Sequence, residues 1–313
     1  MKTKIYTRVL MVMIIMLFSY LGFATDRLVP SVYGTIQAAI DASIAGDRVV
    51  VSNGTYVEDL SIPVGLSNLE IFGEGSGTII KGVLDVAVGS YPLAVPNIEI
   101  LASGVKIHDF TIEGPDWALG RYVSGMVIGA TNVEIYGNAF KVTSTDQLYV
   151  NYELSQGIQT ILGVDISGLK IHDNTFSDLV AKPIGYDGIY VNLDPGTLGT
   201  YVEIYNNSFT GNIYRAILTE RSKTTINANS VVNDLAPWDG TSGGWQGINV
   251  GGTNAGSVTD VSVTNNTVKG SGVGKGFLYG LKFGYTGTSF SNVTATNNSV
   301  SYTHLTLPTI LRV

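Results

Sequence analysis

The chain has no cysteine, and charge is scarce in it. Without Cys there is neither a disulfide framework nor a thiolate metal site or nucleophile, so stability must come from burial and stacking. Asp, Glu, Lys and Arg make up 14% of the 313 residues, against roughly 25% in an average soluble domain. Proline is also sparse, 9 residues beside 38 glycines, which suits short strands joined by tight turns. No basic stretch occurs, which argues against nucleic acid or an anionic membrane surface as partner.

The two ends differ from the body. Lys2, Lys4 and Arg8 precede an uncharged run from Val9 to Ala24 that closes on Gly22-Phe23-Ala24. This layout predicts a secretory signal peptide over 1–24, and hence a secreted, periplasmic or cell-surface location. The run has 16 residues, fewer than the roughly 20 a membrane span needs, so no transmembrane segment is expected in the mature chain. From Val300 the sequence reads VSYTHLTLPT and ILRV, and the Gly and Asn rhythm stops. That stretch resembles one reading frame of a transposon-end adapter used in preparing sequencing libraries, so 300–313 is expected to be an adapter-derived tail. Removing Lys2, Lys4, Arg8 and Arg312 from the 18 Lys and Arg leaves 14 against 25 acidic residues, a net charge of −11.

Between the ends the chain repeats itself. VEIYGNAF, LKIHDNTF, VEIYNNSF, TTINANSV, VSVTNNTV and VTATNNSV begin at Val133, Leu169, Val202, Thr224, Val261 and Val293, with looser copies from Leu69 and Val105. Ile71, Ile107, Ile135, Ile171, Ile204, Ile226, Val263 and Ala295 are equivalent, at spacings that mark one solenoid coil with or without an inserted loop. A second strand precedes each later template, in GMVIG, GIQTI, GIYVN, AILTE, GINVG and GLKFG. Alternation along a strand sends the apolar positions inward. Stacked coils then bring Asn138, Asn174, Asn207, Asn229, Asn266 and Asn298 into one ladder about 4.8 Å apart, each amide serving turn backbone. A repeated residue has an architectural cause, so these asparagines are structural. The predicted fold is all-β: a right-handed, single-stranded parallel β-helix over 25–299, truncated at its C-terminal end.

The front of this solenoid carries its own signal. Ile36, Ala39, Ile40 and Ile44 lie at helical spacing, and Ala45-Gly46-Asp47 ends the pattern before the strand at Val49. A helix there closes the first coil, which would otherwise expose an unpaired apolar edge. This segment, with the Asn-Gly-Thr-Tyr turn after it, resembles the opening of pectin lyase-like β-helix proteins. The resemblance covers residues 33 to 299 and assigns no specific family within that superfamily. It implies a fold that hosts lyases, hydrolases, esterases, epimerases, tailspikes and adhesins, so function must be argued from a site. No signature of the three-aspartate hydrolases, of the methylesterases or of the calcium-site pectate lyases is present.

Candidate chemistry lies where the second strand departs from its own pattern. Asp187, Tyr190, Asn192, Arg215, Glu220, Arg221, Gln246 and Asn249 fall on one strip over three adjacent coils. Cleaving a uronate chain by elimination requires a cation on the carboxylate, a base for the neighbouring proton and an acid for the leaving oxygen. Arg215, Tyr190, Asp187 and Glu220 are the catalytic candidates on that ground. Asn192, Arg221, Gln246 and Asn249 are candidates for substrate binding, as are loop residues Trp238 and Trp245, whose flat rings suit sugar stacking. Ca²⁺ is the metal that such carboxylates would hold, although nothing in the spacing identifies a set of ligands. The competing reading is a set of exposed cross-coil ion pairs, Asp187 with Arg215 and Glu220 with Arg221 or Lys282. His108 and His172 share an outward place and read as surface residues.

The expectation is an exported carbohydrate-active protein, a lyase or glycoside hydrolase, with a polysaccharide or surface glycan as partner. A non-catalytic glycan-binding or adhesive protein and a purely structural spacer stay open beside it.

Overall fold

The computed structural model describes residues 24–83, 95–114, 123–141, 154–177, 187–193, 199–211, 215–233, 246–252, 256–271, 279–284 and 288–301. Within them the strands form three sheets of ten, nine and eight members, and every pairing is parallel. Each turn of the chain gives one strand to the first sheet, the next to the second and the next to the third, as at Val202–Tyr205, Ser208–Gly211 and Arg215–Thr219. This is a parallel β-helix. The eight residues taken as equivalent, from Ile71 to Ala295, are consecutive register partners in the first sheet.

The core is a set of columns. Ile80, Ile112, Phe140, Phe176, Phe209, Val231 and Val268 line the second sheet inside, fully buried, with the phenyl rings of Phe140, Phe176 and Phe209 stacked at 4.7 and 4.6 Å. This column explains the glycine that opens the third-sheet strands. A Cβ on Gly188 would stand 2.5 Å from Cε1 of Phe209, and one on Gly157 2.6 Å from Phe176. The backbone therefore runs against the rings, and the residue before each glycine is turned away from them.

The corner between the first and second sheets holds the asparagine ladder. The backbone N–H groups of Asn138, Asn174, Asn207, Asn229 and Asn266 each donate to the side-chain oxygen of the next asparagine at 2.9–3.1 Å. Each Nδ2 also donates to a carbonyl of the preceding coil, as Asn207 does to Ile171 at 2.9 Å. The residue before each ladder member takes a left-handed conformation, with φ between 53° and 64° at Gly137, Asp173, Asn206, Ala228, Asn265 and Asn297. Gly, Asn and Asp tolerate that conformation; the alanine at 228 is the exception.

Helix α1 spans Ile36–Asp41, shorter than the run to Ile44 that the spacing predicts. Asp47 ends it by accepting the N–H of Ile44 at 3.1 Å, which turns the chain and leaves Ile44 exposed. Thr35 caps its start, and the Glu58 carboxylate accepts the N–H groups of Ile36 and Gln37 at 2.9 Å each. Ile36, Ala39 and Ile40 are buried against the first coil. At the other end the strand Ser289–Thr296 is largely exposed, and Phe290 and Val300 are uncovered.

Candidate functional site

The strip lies on the third sheet. Register places Ser124 beside Gln156, Gln156 beside Asp187, and Arg215 beside Gln246. A second column runs Val127, Gln159, Tyr190, Leu218, Asn249 and Lys282.

Four of the candidates meet. Arg215 grips Asp187 with two donors: Nε bonds one carboxylate oxygen and Nη2 the other, the latter at 2.8 Å. The Tyr190 hydroxyl is hydrogen-bonded to Glu220 and also feels the charges of Asp187 and Arg215. Burial pushes the Tyr190 phenol well above its ordinary value, and the Glu220 and Asp187 carboxylates push it in the same direction. Burial likewise raises Asp187, against the opposing pull of Arg215.

The expected exposure of the strip is not what the fold produces. Asp187 is 2% exposed, Glu220 1% and Arg215 9%. Tyr190 alone of the four is half-buried. Alternation along the strand predicts which way a side chain points but not whether it meets solvent, so the reading of exposed ion pairs is corrected: these charges are buried. The Glu220 carboxylate packs on Gly252, where an added Cβ would come within 1.8 Å of its Oε1.

The binding candidates divide. Gln246 and Asn249 belong to the strip and bond each other, Asn249 Nδ2 donating to Gln246 Oε1 at 2.7 Å. Asn192 ties two coils together, its backbone N–H on the Thr160 hydroxyl at 2.8 Å and its Nδ2 on the Thr160 carbonyl at 2.5 Å. Arg221 serves the corner between the third and first sheets. Its guanidinium donates to the carbonyls of Ser222 and Lys223 at 2.9 Å, to that of Thr200 at 3.2 Å and to the Ser167 hydroxyl at 3.4 Å. A buried guanidinium that closes turn carbonyls is spent on architecture. Trp238 and Trp245 lie outside the described residues, as do 1–23 and 302–313.

Sequence reasoning missed three features here. Ser124, Gln156 and Gln159 extend the strip, the Ser124 hydroxyl donating to Gln156 Oε1 at 2.9 Å; the alignment of GIQTI with GIYVN carried that signal. Charge also gathers elsewhere: a first-sheet column alternates Asp26, Arg48, Glu70, Lys106, Glu134, Lys170 and Glu203. Next to it Phe72, His108, Tyr136, His172 and Tyr205 stack at 4.4–5.2 Å. Clustering of charge is thus not peculiar to the strip, nor is burial of charge beside a tyrosine: Asp47 is buried and gripped by Arg27, which also donates to the Tyr33 hydroxyl at 2.9 Å.

The donors do not fit calcium. Ca²⁺ takes six to eight oxygens, whereas both Asp187 oxygens are held by Arg215. Among the described residues no three acidic or histidine side chains are grouped to hold a metal ion. Nor, among them, is any helix long and apolar enough to cross a membrane.

A parallel β-helix bearing a buried polar strip is the class that these features define. No family model and no curated protein matches the chain. Among solved structures it is similar to the pectin methylesterase from Aspergillus niger in deglycosylated form, at 12% identity and a TM-score of 0.48, covering 93% of this chain and 92% of that one. It is also similar to the rice weevil pectin methyl esterase, at 12% identity and 0.47 over 88% and 90%. The Dettilon tailspike protein is matched at 15% identity and 0.40, over 85% of this chain and 57% of that one. The fold assignment rests on the sheets themselves, and these likenesses carry no argument about activity.

Proposed function

We propose that this is an exported carbohydrate-active protein that binds a polysaccharide along its third sheet and cleaves it there. The observation that carries the reading is the buried meeting of Asp187, Arg215, Tyr190 and Glu220. A buried ion pair is often no more stabilising than apolar residues of the same volume, so stability does not account for it. Leu218 and Val127 fill the Tyr190 column in other coils, which makes the polar substitution optional for the fold. A carboxyl and a phenol perturbed by burial and by neighbouring charges, those of Asp187 and Tyr190, mark a site suited to acid and base chemistry. In this reading Glu220 and Tyr190 are the reacting pair, and Asp187 with Arg215 positions them. Gln246 and Asn249, buried and bonded to each other at 2.7 Å, continue the polar strip beside them.

The alternative, glycan binding without cleavage, has one observation in its favour. The strip's polar groups largely satisfy one another, as Asp187 with Arg215 and Gln246 with Asn249 do. A panel of acidic and neutral polysaccharides separates the two, with unsaturated ends followed by absorbance and reducing ends chemically. New ends on any polymer support cleavage. Retention in a polysaccharide gel with no new ends leaves the binding protein.

A further inference from the structure

Resting on the reading of export, we infer that this chain carries N-linked glycans at Asn53 and Asn206, on the ridge between its first and second sheets. Asn-x-Ser or Asn-x-Thr, with x other than proline, is the acceptor sequence for such a glycan, and it needs a surface turn. The chain has it at Asn53, Asn206, Asn265, Asn292 and Asn297, and all five of these asparagines are exposed. Of the thirteen other asparagines among the described residues nine are buried, so exposure goes with the acceptor sequence and not with asparagine in general.

The repeat explains three of the five. In Asn206-Asn207-Ser208, Asn265-Asn266-Thr267 and Asn297-Asn298-Ser299 the first residue makes the left-handed turn, at φ of 55°, 57° and 56°, and the second enters the ladder. A ladder asparagine is never itself an acceptor, because the residue two places on is the inward Phe or Val of the second sheet. Asn53 and Asn292 lie outside this template, and their exposure is an independent observation.

Room for a sugar separates the five. Asn292 Nδ2 donates to Asp260 Oδ1 at 2.5 Å and Asn265 Nδ2 to Asn227 Oδ1 at 2.9 Å, so a glycan on either nitrogen crowds an existing bond. Asn297 stands one coil from Asn265, about 4.8 Å away. Asn206 has the small Ala228 beside it in the next coil. Asn53 uses its Oδ1, which accepts from the Thr78 hydroxyl at 3.3 Å over Gly77, and its Nδ2 is thereby turned the other way. Asn53 follows the strand Arg48–Val51 and Asn206 the strand Val202–Tyr205, five coils and so about 24 Å apart on one ridge. With three sheets around the core, that ridge lies opposite the third, and two glycans on it leave the face of the strip uncovered.

The donor is a lipid-linked oligosaccharide diphosphate. The asparagine side-chain nitrogen forms a bond to the anomeric carbon of the sugar, the bond from that carbon to the diphosphate oxygen breaks, and the amide gives up one proton. The lipid diphosphate leaves, and nothing is oxidised or reduced.

The test is production of the full chain, with its own residues 1–24, in a eukaryotic secretory host. Protein from the medium and from the cells is treated with peptide N-glycosidase in heavy-oxygen water and mapped by mass spectrometry, which labels each asparagine that bore a glycan. Label at Asn53 and Asn206 of the secreted chain is the expected result. Ser208→Ala is expected to abolish it at Asn206 and Ser208→Thr to keep it, and Thr55→Ala is expected to abolish it at Asn53. A secreted chain without label at either residue overturns the inference and leaves export standing. Label at Asn265, Asn292 or Asn297 in preference to these two overturns the choice of sites. Unlabelled chain held wholly inside the cells overturns the inference and export together.

Discussion

Asp187 and Arg215 form a two-pronged ion pair across adjacent coils, and the pair is buried. The competing reading of an exposed cross-coil bridge, worth about 0 to 1 kcal/mol, therefore does not describe it. Arg215→Ala strands a carboxylate in the interior and is expected to cost about 3–5 kcal/mol. Replacing both residues by apolar ones of similar volume, Asp187→Leu with Arg215→Met, is expected to cost far less. Denaturant unfolding of the three chains checks this. A single-variant loss below about 1 kcal/mol would mean that water reaches the pair.

The ladder makes a graded prediction. Asn207 is enclosed between Asn174 and Asn229, whereas Asn298 is only partly buried. Asn207→Ala leaves several buried turn groups without partners, at about 1–3 kcal/mol for each. Asn298→Ala is expected to lower the unfolding midpoint much less. Equal losses at the two positions would contradict the ladder as the source of turn stability.

Ala228 holds φ at 55° without the tolerance of its neighbours in the series. Ala228→Gly removes a left-handed strain of about 1–2 kcal/mol, offset partly by the entropy of glycine in the unfolded chain. Ala228→Asn is expected to stabilise as well, since asparagine occupies that place at 206, 265 and 297. A fall in thermal midpoint for both variants would refute the strain.

Asp47 predicts acid sensitivity at the front cap. Burial raises its carboxyl, but the N–H groups of Ile44 and Thr25 and the Arg27 guanidinium outweigh burial and hold it below the ordinary carboxylate value. A lowered folded value means that its stabilisation is present above about pH 3.9 and is lost as the pH falls through the folded value. Proteolysis of the cap should therefore accelerate below about pH 4. In Asp47→Asn it should be faster at neutral pH and should lose this contribution to the pH dependence.

Periodicity carries much of this architecture in the sequence itself. Ile71 through Ala295 and the six asparagines recur because each coil meets the same geometric demand, and repetition exposes a shared cause. Features that depend on what lies across the coil were hidden. Gly188 is small because Phe209 faces it from another sheet, and Arg221 is buried because turn carbonyls of Ser222 and Lys223 converge on it. Neither relation has a period. Phe72, His108, Tyr136, His172 and Tyr205 occupy a place that read as simply polar, because stacking between coils accepts phenyl, phenol and imidazole alike. For the strip, composition and register brought Asp187, Tyr190, Arg215 and Glu220 together, but alternation could not disclose their burial.

The central claim is that Tyr190 and Glu220 act on a bound glycan, and turnover measured beside binding tests it most directly. Tyr190→Phe removes the hydroxyl and keeps the ring, and Glu220→Gln removes the charge and keeps the shape. On the polymer that the unaltered protein cleaves fastest, each variant is expected to lower kcat by about 10²–10⁴, with the dissociation constant for that polymer changed less than about threefold. Turnover that survives both substitutions within about a factor of two, in proteins that still bind, would contradict the account.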